Sequence, residues 1–210
     1  METPTSAPPQ PSGQLQSRVV NILTKPKQEW TVIAAEPKDV PGLYRSYIVL
    51  LAAIPCICMV IGFSLIGIPV PFYGHFRVPF GTALANGIVQ YVLSLVGVYV
   101  SGLIIAKLAP NFQSEPDTAQ AIKLVAYSST PAWLAGVLYL YPGLAPIALL
   151  AALYGLYLIY LGVVPLMKTP PDKAIVYLVV AAIVIIVVYV VVGFIAGLVF
   201  PVGAIPRATF

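Results

Sequence analysis

Five long runs of apolar residues, separated by short stretches rich in proline and glycine, dominate the hydrophobic pattern of the chain. Each run approaches or exceeds the roughly 20 residues that an α-helix needs to cross about 30 Å of hydrocarbon. The pattern therefore predicts an all-α fold, a polytopic integral membrane helical bundle with five transmembrane helices. The predicted spans are residues 47–68, 81–106, 121–140, 144–167 and 174–200.

The stretch before the first run, residues 18–46, mixes polar and apolar positions. Leu15, Val19 and Ile22 recur at helical spacing, but the segment is too polar to cross a membrane. We predict a short interfacial amphipathic segment that precedes the bundle. The pattern leaves two arrangements open, one on the membrane surface and one folded back onto the bundle.

The two ends of the chain flank the five-helix domain, residues 47–200. Residues 1–17 are rich in Pro, Ser, Gln and Thr and contain no apolar run, which predicts a disordered cytoplasmic tail. Residues 201–210 are predicted to form a short non-cytoplasmic tail.

Composition excludes a soluble protein. Hydrophobic residues make up 60% of the chain, charged residues only 9%, and the mean hydropathy is +0.94, whereas about a quarter of a soluble domain is charged. The net charge of +4 is not gathered into a basic patch with interleaved aromatic residues, so no nucleic-acid partner is expected. The expected solvent is the lipid bilayer.

The positions of lysine and arginine predict the orientation of the bundle. With five spans, nine of these residues fall on the side of the N-terminus and two, Arg77 and Arg207, on the other side. Because cytoplasmic loops carry the excess of Lys and Arg, the N-terminus is predicted to be cytoplasmic and the C-terminus non-cytoplasmic.

Groups suited to catalysis are scarce. The single histidine, His75, lies in a predicted outer loop, and Lys123 lies near the end of its apolar run, where its side chain can reach the interface. Cys56 and Cys58 are two residues apart on a predicted helix, so they point apart and are expected to fill the core. We predict no catalytic, metal or cofactor-binding residues and no enzymatic activity.

Polar residues recur every four positions in the second run and share one helix face. In lipid such a face must turn toward another helix, and the third run offers polar partners. One interpretation is hydrogen bonding between the helices. The other is a polar groove open to a small ligand or a lipid headgroup. The candidate residues are Thr82, Asn86, Gln90 and Ser94 in the second run, and Tyr127, Ser128, Ser129 and Thr130 in the third.

Two pairs of small residues at four-residue spacing permit close approach of helices. Gly97 and Ser101 form one pair in the second run, and Gly193 and Gly197 form the other in the fifth run. The spacing does not show whether the contact is within one chain or between chains.

Three segments carry a resemblance to a known family: NILTKPKQEW, AIKLVAYSSTPAWLAG and LYGLYLIYLGVVPLMKTPPDKA. In order and spacing they resemble the Yip (Rab/Ypt-interacting protein) domain family of the short prokaryotic type. The resemblance implies a five-helix protein of a prokaryotic cell membrane with a cytoplasmic N-terminus and no catalytic residues. Eukaryotic relatives bind Rab GTPases and carry a longer acidic, aromatic N-terminal region. This chain lacks that region, which puts Rab-type GTPase binding in doubt.

The leading hypothesis is a non-enzymatic membrane scaffold or adaptor that binds other membrane proteins, associates with itself or shapes the bilayer. The alternative is a small permease or lipid-handling protein that uses a polar groove between the second and third spans.

Overall fold

A computed structural model describes residues 11–70 and 74–199, and helices dominate this part of the chain. The all-α class is confirmed, with one small antiparallel hairpin as its exception. The helices and strands are α1 (Pro11–Thr24), α2 (Pro26–Ala35), α3 (Val40–Leu43), α4 (Val49–Ile61), β1 (Ile68–Val70), β2 (Gly74–Phe76), α5 (Phe80–Leu108), α6 (Thr118–Ser128), α7 (Thr130–Ala135), α8 (Ala148–Met167) and α9 (Pro171–Val199). Two π-helical turns (Tyr44–Ile48 and Gly62–Ile66) and three 3₁₀ turns (Ala109–Phe112, Gly136–Leu140 and Pro142–Ile147) complete the helical structure of this part.

The first helix begins earlier than the sequence predicts. Residues 1–10 of the predicted disordered tail and the predicted C-terminal tail, 201–210, lie outside the described residues. Residues 11–17, however, belong to α1. Leu15 and Val19 pack against the core beside Ile22, so an apolar face holds this part of the chain in a helix.

α1 and α2 fold back onto the bundle. Pro26 opens α2 at a position where its missing N–H costs nothing. α2 packs along α8, and Ile22, Trp30 and Ile33 are fully buried. Of the two arrangements left open by the sequence, the contacts favour the one in which this segment packs on the helices.

The first apolar run is one continuous helical stretch, Val40–Ile66, with a π turn on each side of α4. Asp39 begins it by accepting a hydrogen bond from the Gly42 N–H at 2.9 Å. Gly67 ends it with a φ of 90°, a conformation that favours glycine, while its N–H donates to the Gly62 carbonyl.

Four helical stretches of the described chain are long and apolar enough to cross a membrane: Val40–Ile66, Phe80–Phe112, Leu150–Met167 and Pro171–Gly197. The predicted third span, 121–140, is not a single helix, because α6, α7 and the 3₁₀ turn Gly136–Leu140 divide it. Pro131 lacks the N–H that would continue α6, and this accounts for the break. The predicted count of five transmembrane helices is therefore not confirmed.

The bundle has two ends, which we call the charged end, after its ion pairs, and the hairpin end, after its β hairpin. At the charged end, the Glu115 N–H donates to the Met167 carbonyl at 2.9 Å, and Lys168 donates to the Glu115 carboxylate at 2.7 Å. At the hairpin end, the β hairpin packs beside the turn Pro142–Ile147. The divided third run starts at the charged end and reaches Gly62, close to the hairpin end.

Candidate functional site: a buried charge cluster

The charged end contains a cluster of four ionisable side chains, which we call the charge cluster: Arg18, Glu29, Glu36 and Lys123. Arg18, on α1, forms ion pairs with Glu29 on α2 and with Glu36 directly after α2. The Glu29 side chain is only 10% exposed. Because the guanidinium bonds two carboxylates at once, it fixes α1 against α2.

Lys123 completes the cluster from α6. Its ammonium group donates to the carbonyls of Ile33 and Glu36 at 3.1 and 2.9 Å, and the Gln120 amide donates to the Ala34 carbonyl at 3.1 Å. These carbonyls belong to the C-terminal end of α2, which carries a partial negative charge. Lys123 is 4% exposed, so the expectation that it reaches the interface is wrong. It caps another helix instead.

Aromatic side chains form a layer directly beneath the cluster. The Arg18 guanidinium lies 5.7 Å from the centre of the Tyr127 ring, and Trp30 meets that ring edge to face at 6.2 Å. The Tyr47 ring packs on Tyr127 at 4.7 Å, and its hydroxyl shares a 2.7 Å hydrogen bond with the Thr130 hydroxyl. The layer joins α2, the first membrane stretch and the divided third run.

The charges of the cluster balance. Arg18 and Lys123 supply two positive charges, and Glu29 and Glu36 supply two negative charges. Burial alone lowers the pKa of Arg18, but Tyr127, Glu36 and Glu29 outweigh burial and raise this pKa above its ordinary value. Such a balanced, hydrogen-bonded cluster is suited to holding helices together.

A second ion pair joins the same elements at the surface. Lys38 pairs with Asp117, which also caps α6 by accepting the Gln120 N–H at 3.1 Å. Burial alone raises the pKa of the Asp117 carboxyl, but the hydrogen bonds from Lys38 and from the Gln120 N–H outweigh it and lower this pKa. The carboxylate therefore stabilises the fold above the ordinary aspartate pKa of about 4, and this stabilisation is lost as pH falls through the lower folded value.

Replacing Asp117 with Asn tests this pair. Asparagine caps a helix about as well as aspartate, so Asp117→Asn removes the charge and keeps the cap. We expect a lower melting temperature than wild type at pH 7, and we expect this difference to shrink as pH falls through the lowered pKa of the wild-type carboxyl. Asp172→Asn, which neutralises an exposed carboxylate in the first turn of α9, is the matched control. A pH-independent deficit in Asp117→Asn would contradict the assignment.

The predicted polar face of the second span lies on the half of α5 nearer the hairpin end. Thr82 is exposed, and Asn86 and Gln90 are half-buried. Ser94 is buried, and its hydroxyl donates to the Tyr91 carbonyl of its own helix at 2.7 Å. Gly87, between Asn86 and Gln90, packs against Val60 of α4. This part of α5 therefore faces the first membrane stretch, Val40–Ile66.

The predicted partners in the third run face elsewhere. Tyr127 and Thr130 join the aromatic layer, and the Ser129 hydroxyl donates to the Val125 carbonyl at 2.8 Å. Ser128 is buried, and its backbone carbonyl lies against Gly155 of α8. Among the described residues no hydrogen bond joins the two predicted polar sets, so the interpretation as hydrogen bonding between these helices is not confirmed. The two sets have different neighbours and do not meet across a shared groove, so the permease hypothesis is not favoured.

The two pairs of small residues lie in different surroundings. A methyl group at Gly97 would lie 3.5 Å from Val188 and 3.6 Å from Val192, so this buried position packs α5 against α9. Ser101, one turn further, is fully buried. Gly193 and Gly197 are exposed, and a methyl group on either would meet no described atom within 4 Å.

Sequence reasoning missed the charge cluster. Its members are separated by up to about a hundred residues, and the pairing of Arg18 with Glu29 depends on how α1 and α2 fold together. One signal was available, namely a lysine inside the apolar run AIKLVAYS. A buried ammonium requires acceptors, so Lys123 implied a neighbouring segment that supplies them.

Comparison with known proteins identifies the family of this chain. Residues 20–194 match the Yip1 domain. The chain is 33% identical over 150 residues to "Inner membrane protein YohC" of Escherichia coli K12, an alignment that covers 70% of this chain and 77% of the relative. The same protein of Escherichia coli O6:H1 matches equally. No solved structure matches the chain. The family match spans α1 to α9, and this chain belongs to the Yip1 domain family.

Proposed function

We propose that this chain is a non-enzymatic membrane scaffold or adaptor that crosses the bilayer five times and binds other membrane proteins, including further copies of itself, through α9. The proposal has three parts: the number of crossings, the orientation and the contact surface.

The contacts of the divided third run support five crossings. This run starts beside Lys38 at the charged end, and Gly136 packs against Pro55 in the middle of α4. It then reaches Gly62, where a methyl group would meet the Tyr139 carbonyl. A chain that passes from one end of a membrane bundle to the other completes a crossing even when its helix is broken, provided that the irregular backbone is buried in protein.

The orientation rests on the positive-inside rule. The cations at the charged end include Arg18, Lys38, Lys107, Lys123 and Lys168, so we place this end in the cytoplasm. The N-terminus is then cytoplasmic and the C-terminus non-cytoplasmic.

The observation that carries the proposal is the open face of α9. Ile186, Val190, Gly193 and Gly197 follow one another at spacings of four, three and four residues, so they lie on one side of the helix. All four are exposed, Val190 to 64%. The opposite side, with Val192 and Ala196, is buried against the bundle. Small residues on an open membrane face permit another helix to approach closely.

Replacing both glycines tests this surface. Gly193→Leu combined with Gly197→Leu fills the face without disturbing a described contact, and we expect self-association in the membrane to weaken by about fivefold or more, which corresponds to roughly 1 kcal/mol. The measurement is energy transfer between differently labelled copies in vesicles of fixed protein-to-lipid ratio.

Val191→Leu combined with Ile195→Leu is the control, because these residues are exposed on a different side of α9. Energy transfer that is unchanged by the glycine substitutions, or lowered equally by the control, would contradict the proposed surface.

A further inference from the structure

α1 and α2 form a helical hairpin, with its tip at residues 24–27, that packs on the half of the bundle containing the charged end. A Cβ at Gly162 of α8 would lie 2.8 Å from the Trp30 indole, so Trp30 lies at the height of Gly162. The Tyr154 hydroxyl donates to the Leu23 carbonyl at 2.8 Å, so the tip lies beside the central part of α8. Because each helix is about 10 Å across, the helical hairpin widens this half of the molecule.

The height of the helical hairpin can be compared with α9, which also packs on α8. Gly162 lies five residues before Met167, the end of α8, and Val176 lies five residues after Pro171, the start of α9. At 1.5 Å per residue, both lie about 8 Å from the charged end. Large apolar side chains are exposed along α9 from Ile175 to Ile195, which is about 30 Å and equals the thickness of the hydrocarbon. The helical hairpin therefore lies at the height of one leaflet.

The helical hairpin is amphipathic. Its inner face is apolar, and Ile22 and Ile33 are fully buried against the bundle. On its outer face Gln28 and Thr31 are exposed, with Val32 as an exposed apolar neighbour. Polar groups are costly in hydrocarbon, so headgroups and water are expected beside this outer face. A helix in this position displaces the lipids of one leaflet alone, and the membrane binding of amphipathic helices is sensitive to curvature.

From this placement we propose that the helical hairpin is a wedge in the leaflet at the charged end. Its partner is the lipid surface: the headgroups of that leaflet spread around the outer face of α1 and α2, and the chain favours a bilayer that is convex on this side. The wedge rests on the crossing of the bilayer in the proposed function, but it does not depend on association through α9.

The test compares the two orientations of the full chain in vesicles. The protein, carrying Cys56→Ala, Cys58→Ala and Lys107→Cys, is reconstituted into small sonicated and large extruded vesicles of phosphatidylcholine. Residue 107 is exposed at the charged end, so labelling by a membrane-impermeant maleimide before and after addition of detergent gives the fraction of copies with this end outward. We expect a larger fraction in small vesicles than in large ones, because the outer leaflet of a small vesicle is expanded.

Trp30→Asp in this protein separates the inserted hairpin from the mass outside the bilayer. A carboxylate is strongly disfavoured at this fully buried position, so α2 is expected to leave the bundle, and the dependence on vesicle size is expected to disappear. Thr31→Asp is the matched control, because it adds the same charge at the neighbouring exposed residue, and it is expected to behave like the parent protein.

Four outcomes would overturn the wedge. They are an equal fraction of outward copies of the parent protein in small and large vesicles, a smaller fraction in small vesicles, an unchanged dependence on vesicle size in Trp30→Asp, and an equal loss of this dependence in Thr31→Asp. The third outcome would assign the preference to the mass outside the bilayer.

Discussion

Arg18→Ala is expected to loosen α1 from α2 and to weaken the contact of this hairpin with Tyr127 of the bundle. The substitution leaves Glu29 and Glu36 close together without their cation, and Glu29 is buried. Breaking such a buried pair by removal of one partner costs about 3 kcal/mol or more. We expect this loss in the free energy of unfolding in detergent, together with faster tryptic cleavage after Lys27, which lies at the tip of the hairpin.

The charge-balanced variant separates the cost of unpaired buried carboxylates from the loss of the ion pairs themselves. Arg18→Met combined with Glu29→Gln and Glu36→Gln removes the cation and both carboxylates, so no unpaired charge stays buried. It is expected to recover most of the stability and most of the resistance to trypsin. If Arg18→Ala unfolds like wild type, the hairpin does not depend on neutralisation of Glu29 and Glu36 by Arg18. A balanced variant no more stable than Arg18→Ala would attribute the deficit to the lost ion pairs and would contradict the expected recovery.

Gly162→Val is the second substitution with a large expected effect. A Cβ at this position would lie 2.6 Å from the Leu124 side chain and 2.8 Å from the Trp30 indole, and both residues are fully buried. Because neither side chain has room to move, the added methyl groups must push α2 away from α8. Overpacking of this kind costs about 1–3 kcal/mol.

The displacement of α2 can be followed by the fluorescence of Trp30 in a Trp133→Phe background, which leaves Trp30 as the sole tryptophan. A red shift with lower stability is expected, since the indole is at present fully buried. Gly81→Val is the control, because a methyl group there would meet no described atom within 4 Å. An unshifted spectrum with unchanged stability would contradict the close packing of α2 on α8.

Much of the helical layout follows from the hydrophobic pattern alone. The apolar runs and the Pro- and Gly-rich breaks locate four long helices, because a helix in lipid must satisfy its own backbone. The apolar composition of the third run predicts a single span, but Pro131 divides it into α6 and α7. Residues 120–128 are all buried, and their burial by neighbouring helices is what permits a broken helix at that position.

The charge cluster could not be predicted from the sequence, for a different reason. Arg18, Glu29 and Glu36 have the spacing of ordinary surface charges, and only the hairpin of α1 and α2 turns them toward one another. The burial of the two pairs of small residues could not be predicted from the sequence either. Gly97 and Gly193 occur in equivalent patterns, and only the packing of α5 against α9 shows that one is buried and the other open.

The most direct test of the account is to place a photoreactive benzophenone side chain at Tyr154 in the native membrane. The hydroxyl of Tyr154 reaches the Leu23 carbonyl at 2.8 Å, so illumination is expected to join α8 to the end of α1 within one chain. The same side chain at Tyr160, which is exposed, serves as the control. An adduct between residue 154 and α1, absent from the control, is the predicted result. Adducts of residue 154 with lipid or other proteins alone would contradict the folded-back hairpin on which the charge cluster depends.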